Sequence, residues 1–212
     1  PMPDNGIKLF ARGGGKLDDA IEDQIEARMA EPWERPTGRG VGRVIEDRDA
    51  AERYLKHLQS TVSVKLDGIK VVVDCANGAS SFVAPEALRR AGAEVIAIAN
   101  QPDGWNINDG VGSTHLDYLK EAVKKHGANV GIAYDGDVDR CLAVDANGEE
   151  VDGDQIIAIL ANGLNARGEL TSNTVVATVM SNLGFMKSME AANIKVELTG
   201  VGDRYVLEKM LS

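Results

Sequence analysis

Short β-branched runs alternate with helical patterns from about residue 66 to the end of the chain, and this alternation constrains the fold more than any other feature. Residues 70–75 (KVVVDC) and 94–99 carry the apolar runs typical of buried parallel strands. Residues 82–91 and 115–125 have apolar residues at helical spacing instead. The alternation predicts an α/β fold, in which mixed sheets are flanked by helices.

The pattern divides the chain into three segments. Residues 1–62 contain an acidic helix and, at 31–43, a connection rich in glycine and proline. Residues 63–170 contain four predicted strands, with helices for both faces of a sheet, which is sufficient to bury a core. Residues 171–212 contain a strand, a helix, a second strand and part of another helix. Because the first and last segments hold too few elements for complete domains, we expect the chain to be truncated at both ends.

The clearest chemical signal is Asp-Gly-Asp-Val-Asp-Arg at 135–140, called here the aspartate turn because it joins two predicted strands. Carboxylates at alternate positions of a tight turn, here Asp135, Asp137 and Asp139, can converge on one point. Their mutual repulsion is then relieved by a bound cation. All-oxygen ligation of this kind favours the hard cations Mg²⁺ and Ca²⁺.

The aspartate turn admits other interpretations. An EF-hand calcium loop needs Gly at its sixth position and Glu at its twelfth, and these positions are Arg140 and Ala146 here, so that interpretation fails. Arg140 indicates instead a phosphate near the cation, held by the planar guanidinium group. Three alternatives stay open: a polar hairpin without a ligand, a phosphatase with an aspartate nucleophile, and a non-catalytic module that binds a metal or a sugar phosphate.

Composition narrows the class of partner. A net charge of −10 and an aromatic content of 4% argue against nucleic-acid binding, which depends on clustered basic residues and on base stacking. The longest apolar run, at 156–161, is far too short to span a bilayer, so no membrane partner is predicted. Cys75 and Cys141 fall in predicted strands and are expected to be buried apolar residues. Such sparse cysteine use is typical of a reducing, cytoplasmic location.

Several segments of the chain resemble the α-D-phosphohexomutase superfamily. The aspartate turn is similar to the D-G-D-x-D-R metal loop of that superfamily. Four further segments agree in order and spacing, and they are PDNGIK at 3–8, VDCANGA at 73–79, NIN through GSTH at 106–115, and VGDRYV at 201–206. The last of these and MSNLG at 180–184 resemble the phosphoglucosamine mutase branch in particular.

The resemblance implies an identity for each segment and a role for individual residues. Residues 1–62 would be the C-terminal part of phosphohexomutase domain 1, residues 63–170 domain 2 with the metal loop, and residues 171–212 the N-terminal part of domain 3. The site residues that it implies are Lys8 and Arg140 as catalytic groups, His115 and Arg204 as substrate contacts, and Asp135, Asp137 and Asp139 as Mg²⁺ ligands.

The resemblance also implies an isomerase activity. Members of this branch interconvert glucosamine 6-phosphate and glucosamine 1-phosphate through a phosphoserine and a bisphosphate intermediate, in the amino-sugar metabolism that leads to UDP-N-acetylglucosamine and cell-wall precursors. The catalytic serine would precede residue 1, so we expect this chain alone to be inactive and to need the missing domains of the same enzyme as partners. A phosphomannomutase or phosphoglucomutase of the same superfamily stays open, because the family's sugar-reading loop would lie outside these residues.

Overall fold

The computed structural model describes residues 6, 7 and 9–212. The described residues divide into two compact units, a shorter one that ends at residue 50 and a longer one formed by residues 51–212. In the described ranges no helix combines the length and the apolar character that crossing a membrane requires.

The shorter unit has little internal structure. It contains helix α1 (Asp19–Met29) and a 3-10 turn at Gly38–Gly40. The carboxylate of Asp18 caps α1 by accepting a hydrogen bond from the backbone N–H of Ala20 at 3.0 Å. The apolar stripe of this helix stays open to solvent, since Met29 is 79% exposed, and none of the unit's described residues is buried.

The longer unit is built on a mixed five-stranded sheet with the spatial order β2-β1-β3-β4-β5. The strands are β1 (Lys70–Asp74), β2 (Glu94–Ile98), β3 (Val130–Tyr134), β4 (Cys141–Asp145) and β5 (Glu150–Val151). β1 pairs in parallel with β2 and β3, whereas β4 runs antiparallel to β3 and β5. Because β1 and β3 are parallel, their carboxyl ends meet at one edge of the sheet, which is the edge that carries the aspartate turn.

Helices cover both faces of β1, which explains its uninterrupted apolar sequence. The helices of this half are α2 (Ala50–Thr61), α3 (Ser80–Arg90) and α4 (Asp117–His126). Val72 packs with Leu119 and Val123 of α4 on one face. Val71 and Val73 pack against side chains of α3 on the other face. All three valines are at most 2% exposed, and burying such a side chain contributes about 1.5–3 kcal/mol.

A second, two-stranded sheet follows along the chain. Its elements are α5 (Gly153–Ala166), β6 (Thr174–Thr178), α6 (Leu183–Ala191), β7 (Lys195–Thr199) and α7 (Asp203–Leu211), and β6 and β7 are parallel. A capping box between Asp152 and Gln155 begins α5. One buried cluster joins Ala161 of α5 to Phe185 and Met189 of α6, so α5 packs with this sheet.

The predicted α/β fold class is confirmed, since a mixed sheet and a smaller parallel one are flanked by helices in the order that the sequence pattern indicates. Strand β5 was not predicted, because a two-residue strand leaves no periodic pattern to detect. Cys75 is buried as expected, but the expectation for Cys141 is wrong: it lies exposed at the start of β4, beside the open turn. The predicted domain boundaries after residues 62 and 170 stay predictions.

Candidate metal centre

The aspartate turn connects the two strands of a β-hairpin. Tyr134 at the end of β3 lies opposite Cys141 at the start of β4, and residues 135–140 join them. The backbone N–H of Val138 donates to the carbonyl oxygen of Asp135 at 3.2 Å, which closes the first bend. Val138 has a φ of 67°, in the left-handed region that β-branched residues rarely adopt. The backbone of the turn is therefore strained and tightly bent.

This bend brings the three aspartates together. One carboxylate oxygen from each of Asp135, Asp137 and Asp139 lies within 4.8 Å of those of the other two. Two oxygen ligands of one hard cation, each at about 2.1–2.6 Å from it, stand up to about 5 Å apart, so the three oxygens fit a single ion. Asp135 is 1% exposed, whereas Asp137 and Asp139 are exposed. A cation held here would face solvent on one side and could be reached by a further ligand.

Arg140 fixes the position of Asp135. Its backbone N–H donates to Oδ1 of Asp135 at 3.0 Å, and its Nε donates to Oδ2 at 2.7 Å. Burial acts to raise the pKa of Asp135, but the hydrogen bonds and the charge of Arg140 outweigh it, so this pKa lies below its ordinary value. Asp135 is therefore ionised at neutral pH, which is the form that binds a cation.

The backbone of the turn packs closely against two neighbouring loops. The N–H of Ala79, which follows β1, donates to the carbonyl oxygen of Gly136 at 2.9 Å. A Cβ atom on Gly78 would lie 2.3 Å from that oxygen, so no side chain fits at Gly78. A Cβ atom on Gly136 would lie 2.6 Å from the side chain of Ile107 and 2.9 Å from Nδ2 of Asn108. The loops that follow β1 and β2 therefore enclose the turn.

The contacts that enclose the turn could not be predicted from the sequence. Gly78 and Asn108 lie in two of the segments that resemble the family, 73–79 and 106–115, but no local pattern shows that they contact the aspartate turn. Gly78 and Gly136 are separated by 58 positions, and only the pairing of β1 with β3 brings them together.

Arg140, one of the two predicted catalytic residues, lies beside the aspartates. Its side chain is 63% exposed, and its Nε also lies 3.7 Å from Oδ1 of Asp139. Among the described residues, no partner accepts a hydrogen bond from its terminal Nη groups. These groups therefore remain available to an incoming anion. Lys8, the other predicted catalytic residue, lies outside the described residues.

The two predicted substrate contacts lie on different parts of the longer unit, His115 just before α4 and Arg204 on α7. His115 is exposed, and its Nδ1 lies 3.1 Å from the hydroxyl oxygen of Thr114. Arg204 lies in the first turn of α7, where its Nε donates to Glu208 at 2.9 Å. The roles of His115 and Arg204 as substrate contacts stay predictions.

An apolar cavity of about 530 Å³ lies between α2 and α3. Tyr134 and Val138 are among its lining residues, and most of the others are apolar side chains of the two helices and of the segments next to them. Burial raises the pKa of Tyr134 to about 12, so its hydroxyl stays neutral. This apolar lining does not suit a charged sugar phosphate. A cation bound at the aspartate turn would attract one.

Two family models match the chain, and together they include the aspartate turn. The model described as phosphoglucomutase/phosphomannomutase, alpha/beta/alpha domain II, matches residues 52–148, and the one for domain III matches residues 152–212. This chain belongs to the phosphoglucomutase/phosphomannomutase family. The family predicted by resemblance is thereby confirmed, and the aspartate turn lies in domain II of that family.

Relatives named phosphoglucosamine mutase match this family member over nearly its full length. The one from Streptomyces griseus subsp. griseus is 59% identical over 214 residues, which include 99% of this chain and 47% of the relative. The one from Nocardioides sp. is 62% identical over 210 residues, again with 99% of this chain and 47% of the relative. The chain thus spans about half the length of the relatives that it matches.

Solved structures of the family share the fold. A phosphoglucomutase/phosphomannomutase family protein from Burkholderia thailandensis aligns with a TM-score of 0.67 and 22% identity, over 76% of this chain and 35% of that one. An N-acetylglucosamine-phosphate mutase of the α-D-phosphohexomutase superfamily, in its apo form, aligns with a TM-score of 0.57 and 20% identity, over 75% and 38% of the two chains. At these identities the likeness concerns the fold alone.

Proposed function

We propose that this chain is the metal-binding part of a phosphoglucosamine mutase, which interconverts glucosamine 6-phosphate and glucosamine 1-phosphate. The convergence of Asp135, Asp137 and Asp139 carries the proposal, because an open site made of carboxylates suits Mg²⁺. Enzymes of this family are generally Mg²⁺-dependent. The names of relatives at about 60% identity support an amino-sugar phosphate as the substrate.

The residues of the site suit a phosphate transfer between the sugar and a phosphoserine elsewhere in the enzyme. Bound Mg²⁺ would supply neutralisation of the negative charge on the phosphate during transfer. Asp135 would bind the cation from the buried side, since two hydrogen bonds from Arg140 hold the carboxylate of Asp135 in place. Asp137 and Asp139 would bind it from the exposed side. The Nη groups of Arg140 would hold a phosphate oxygen beside it.

The same proposal assigns roles to the other predicted residues and to partners. Lys8 would handle a proton near the phosphoserine, and His115 and Arg204 would contact the sugar phosphate. The remaining domains of the enzyme would supply the serine and complete the substrate site. A cytoplasmic location is part of the proposal, and the two free cysteines, Cys75 and Cys141, are compatible with a reducing compartment.

Two alternatives differ from the proposal in ways that an assay can separate. A phosphomannomutase or phosphoglucomutase of the same family would use the same aspartate turn with another sugar. A non-catalytic module would bind Mg²⁺ or a sugar phosphate without turning it over. The family names in the solved structures leave the sugar open at 20–22% identity, whereas the relatives at about 60% identity favour glucosamine.

Mg²⁺ binding by the chain is the direct test of the site. We expect calorimetry to give a dissociation constant on the order of 10⁻⁴ to 10⁻³ M, because protein carboxylates supply only part of the cation's oxygen shell. Asp137→Ala should remove detectable binding. Asp23→Ala, which changes an exposed aspartate of α1 outside the cluster, should leave it unchanged. Equal binding by the Asp137 variant would refute the assignment of the aspartate turn.

Activity requires the rest of an enzyme, and a hybrid protein supplies it. This chain can replace the matching residues of the Streptomyces griseus relative, with which it shares 59% identity. Because the hybrid takes its sugar-reading loop from the relative, its turnover tests whether this chain supplies a working metal site. We expect the hybrid to convert glucosamine 6-phosphate and Asp137→Ala to abolish turnover. A folded, Mg²⁺-binding hybrid without turnover would favour the second alternative, and the first is tested by the sugar preference of the complete enzyme that the proposal describes.

A further inference from the structure

Asp74 is a fully buried carboxylate that the proposed chemistry does not use. It is the last residue of β1 and is 0% exposed. Its Oδ1 accepts a hydrogen bond from the backbone N–H of Ala76, and its Oδ2 accepts one from the backbone N–H of Gly112, both at 2.9 Å. Burial raises the pKa of Asp74, and these two hydrogen bonds partly offset the shift. A buried acidic group with two backbone hydrogen-bond partners indicates a structural role.

That role is to hold the loop after β2 against the end of β1. Gly112 lies 38 positions from Asp74 along the chain, so the hydrogen bond between them closes a long loop. Gly112 has a φ of 79°, and a Cβ atom there would lie 2.5 Å from the carbonyl oxygen of Tyr134. Only glycine therefore fits between β1 and β3 at this point.

The loop held by Asp74 contacts the residues that lead into the aspartate turn. The backbone N–H of Ser113 donates to the carbonyl oxygen of Tyr134 at 2.9 Å, and Tyr134 immediately precedes Asp135. Earlier in the same loop, the N–H of Asn108 donates to the carbonyl oxygen of Ala76 at 3.0 Å. Asn108 also packs against Gly136. The loop thus supports the backbone on both sides of Asp135.

Two buried polar atoms show that tertiary contacts impose this arrangement. Among the described residues, Oδ1 of Asn108 and Oγ of Ser113 are buried without a hydrogen-bond partner. Leaving such an atom buried and unpaired is unfavourable. Unfavourable local features persist where the surrounding contacts determine the conformation, and they concentrate at functional sites. The hydrogen bond from Gly112 to the carboxyl group of Asp74 is one such determining contact.

We propose that Asp74 is a positioning residue for the metal site, acting through Gly112 and Ser113 on the backbone that carries Asp135. It does not bind the cation itself. The inference rests on the proposed function, because it assigns Asp135 to a Mg²⁺ site. Residues that orient metal ligands in this indirect way typically change metal affinity by about 10–100-fold when they are replaced.

The test measures the position of Asp135 by NMR in the metal-free chain. The backbone N–H and the Nε–H of Arg140 both donate to Asp135, so their NMR signals report on its position. In the metal-free chain, Asp74→Asn should shift both signals and speed the solvent exchange of both hydrogens by about tenfold, in step with the expected loss of affinity. Mg²⁺ affinity, measured by calorimetry, should fall by about 10–100-fold.

Asp145→Asn is the matched control, because the carboxylate of Asp145 also accepts two backbone N–H groups, in another turn of the same sheet. Its Oδ1 accepts the backbone N–H groups of Asn147 and Glu149 at 2.9 Å and 2.8 Å. This variant should leave the signals of Arg140 and the Mg²⁺ affinity unchanged. If it moves them as much as Asp74→Asn does, the effect is a general loosening of the sheet and the proposal is wrong.

A second variant covers the case in which Asp74→Asn does not fold. Gly112→Ala disturbs the hydrogen bond between Gly112 and Asp74 by changing the donor residue, and it should produce the same changes in the signals of Arg140. Unchanged Arg140 signals in a folded Asp74 variant, or in a folded Gly112 variant, would overturn the proposal. Absence of Mg²⁺ binding by the unmodified chain would instead refute the proposed metal site, and the metal-free signals would still decide the role of Asp74.

Discussion

At the scale of single residues, the aspartate turn depends on two glycines, whose lack of a side chain permits a close backbone contact. Gly78 and Gly136 let two backbone segments approach until an N–H and a carbonyl oxygen meet at 2.9 Å. Val138, in the middle of the turn, has a φ of 67° and carries backbone strain of about 1–3 kcal/mol. The hydrogen bonds from Arg140 to Asp135 hold the turn in this conformation.

A methyl group at Gly78 should therefore disturb the metal site from outside it. In Gly78→Ala the new Cβ would lie 2.3 Å from the carbonyl oxygen of Gly136, a backbone atom that cannot rotate away. We expect the free energy of unfolding to fall by about 1–3 kcal/mol, as for other overpacked sites, and Mg²⁺ affinity to fall with it. Urea denaturation and calorimetry measure the two effects.

Gly153→Ala is the control for this prediction. A Cβ atom at Gly153 meets nothing within 4 Å, and Gly153 begins helix α5 away from the turn. The control variant should retain the unmodified chain's Mg²⁺ affinity and should not be destabilised. A Gly78→Ala variant as stable as the control would show that the two backbone segments can separate without loss.

At the scale of elements, a single arginine joins α2 to α3. Nη1 and Nη2 of Arg90 donate to the two carboxylate oxygens of Glu52 at 3.1 Å and 2.9 Å, and Nε donates to Glu86 at 2.8 Å. The paired geometry is the strongest form of ion pair that an arginine makes. The apolar cavity lies between the same two helices, with Arg90 among its lining residues, so this ion pair also fixes one part of that cavity.

The pH dependence of stability should reveal this ion pair. The hydrogen bond from Arg90 lowers the pKa of Glu52, so the pair stabilises the fold fully above the ordinary pKa of glutamate. The contribution is lost as the pH falls through the lower pKa of the folded state. Glu52→Gln should therefore lower the melting temperature at neutral pH, and the difference from the unmodified chain should shrink between about pH 5 and about pH 3.

Glu121→Gln, at an exposed position on α4, should show no such convergence. Scanning calorimetry at several pH values distinguishes the two variants. A constant difference between Glu52→Gln and the unmodified chain across this range would mean that the carboxylate of Glu52 contributes by shape and not by charge.

At the scale of the whole molecule, the two units differ sharply in burial. The described residues of the shorter unit include no buried side chain, whereas the longer unit has three buried apolar clusters. Local stability follows buried apolar contact and hydrogen bonding. The two units should therefore open to solvent with very different free energies.

Limited proteolysis should separate the units in a fixed order. We expect the first cuts in the connection at 31–43, which is rich in glycine and proline and fully exposed, followed by loss of the rest of residues 9–50. The fragment that survives should begin near residue 51 and retain both sheets, because α5 shares a buried cluster with α6 and β6. Hydrogen exchange as slow in α1 as in β1 would contradict this prediction.

The sequence by itself determined the α/β class, the order of the helices and of the five-residue strands, and the identity of the three aspartates. Each of these depends on local patterns: an apolar run such as 70–75, a helical spacing such as 115–125, and alternate carboxylates in one short turn. The resemblance, carried by short motifs, identified the family before the comparisons confirmed it.

The tertiary structure alone decided how the aspartate turn is held. The contacts of Gly78 with Gly136, of Asp74 with Gly112 and of Ser113 with Tyr134 join residues that are 21 to 58 positions apart. Local patterns carry no information about such pairs, because each depends on which strands are neighbours and in which register they pair. The exposure of Cys141 was missed for the same reason, since burial at the end of a strand depends on what the fold places next to it.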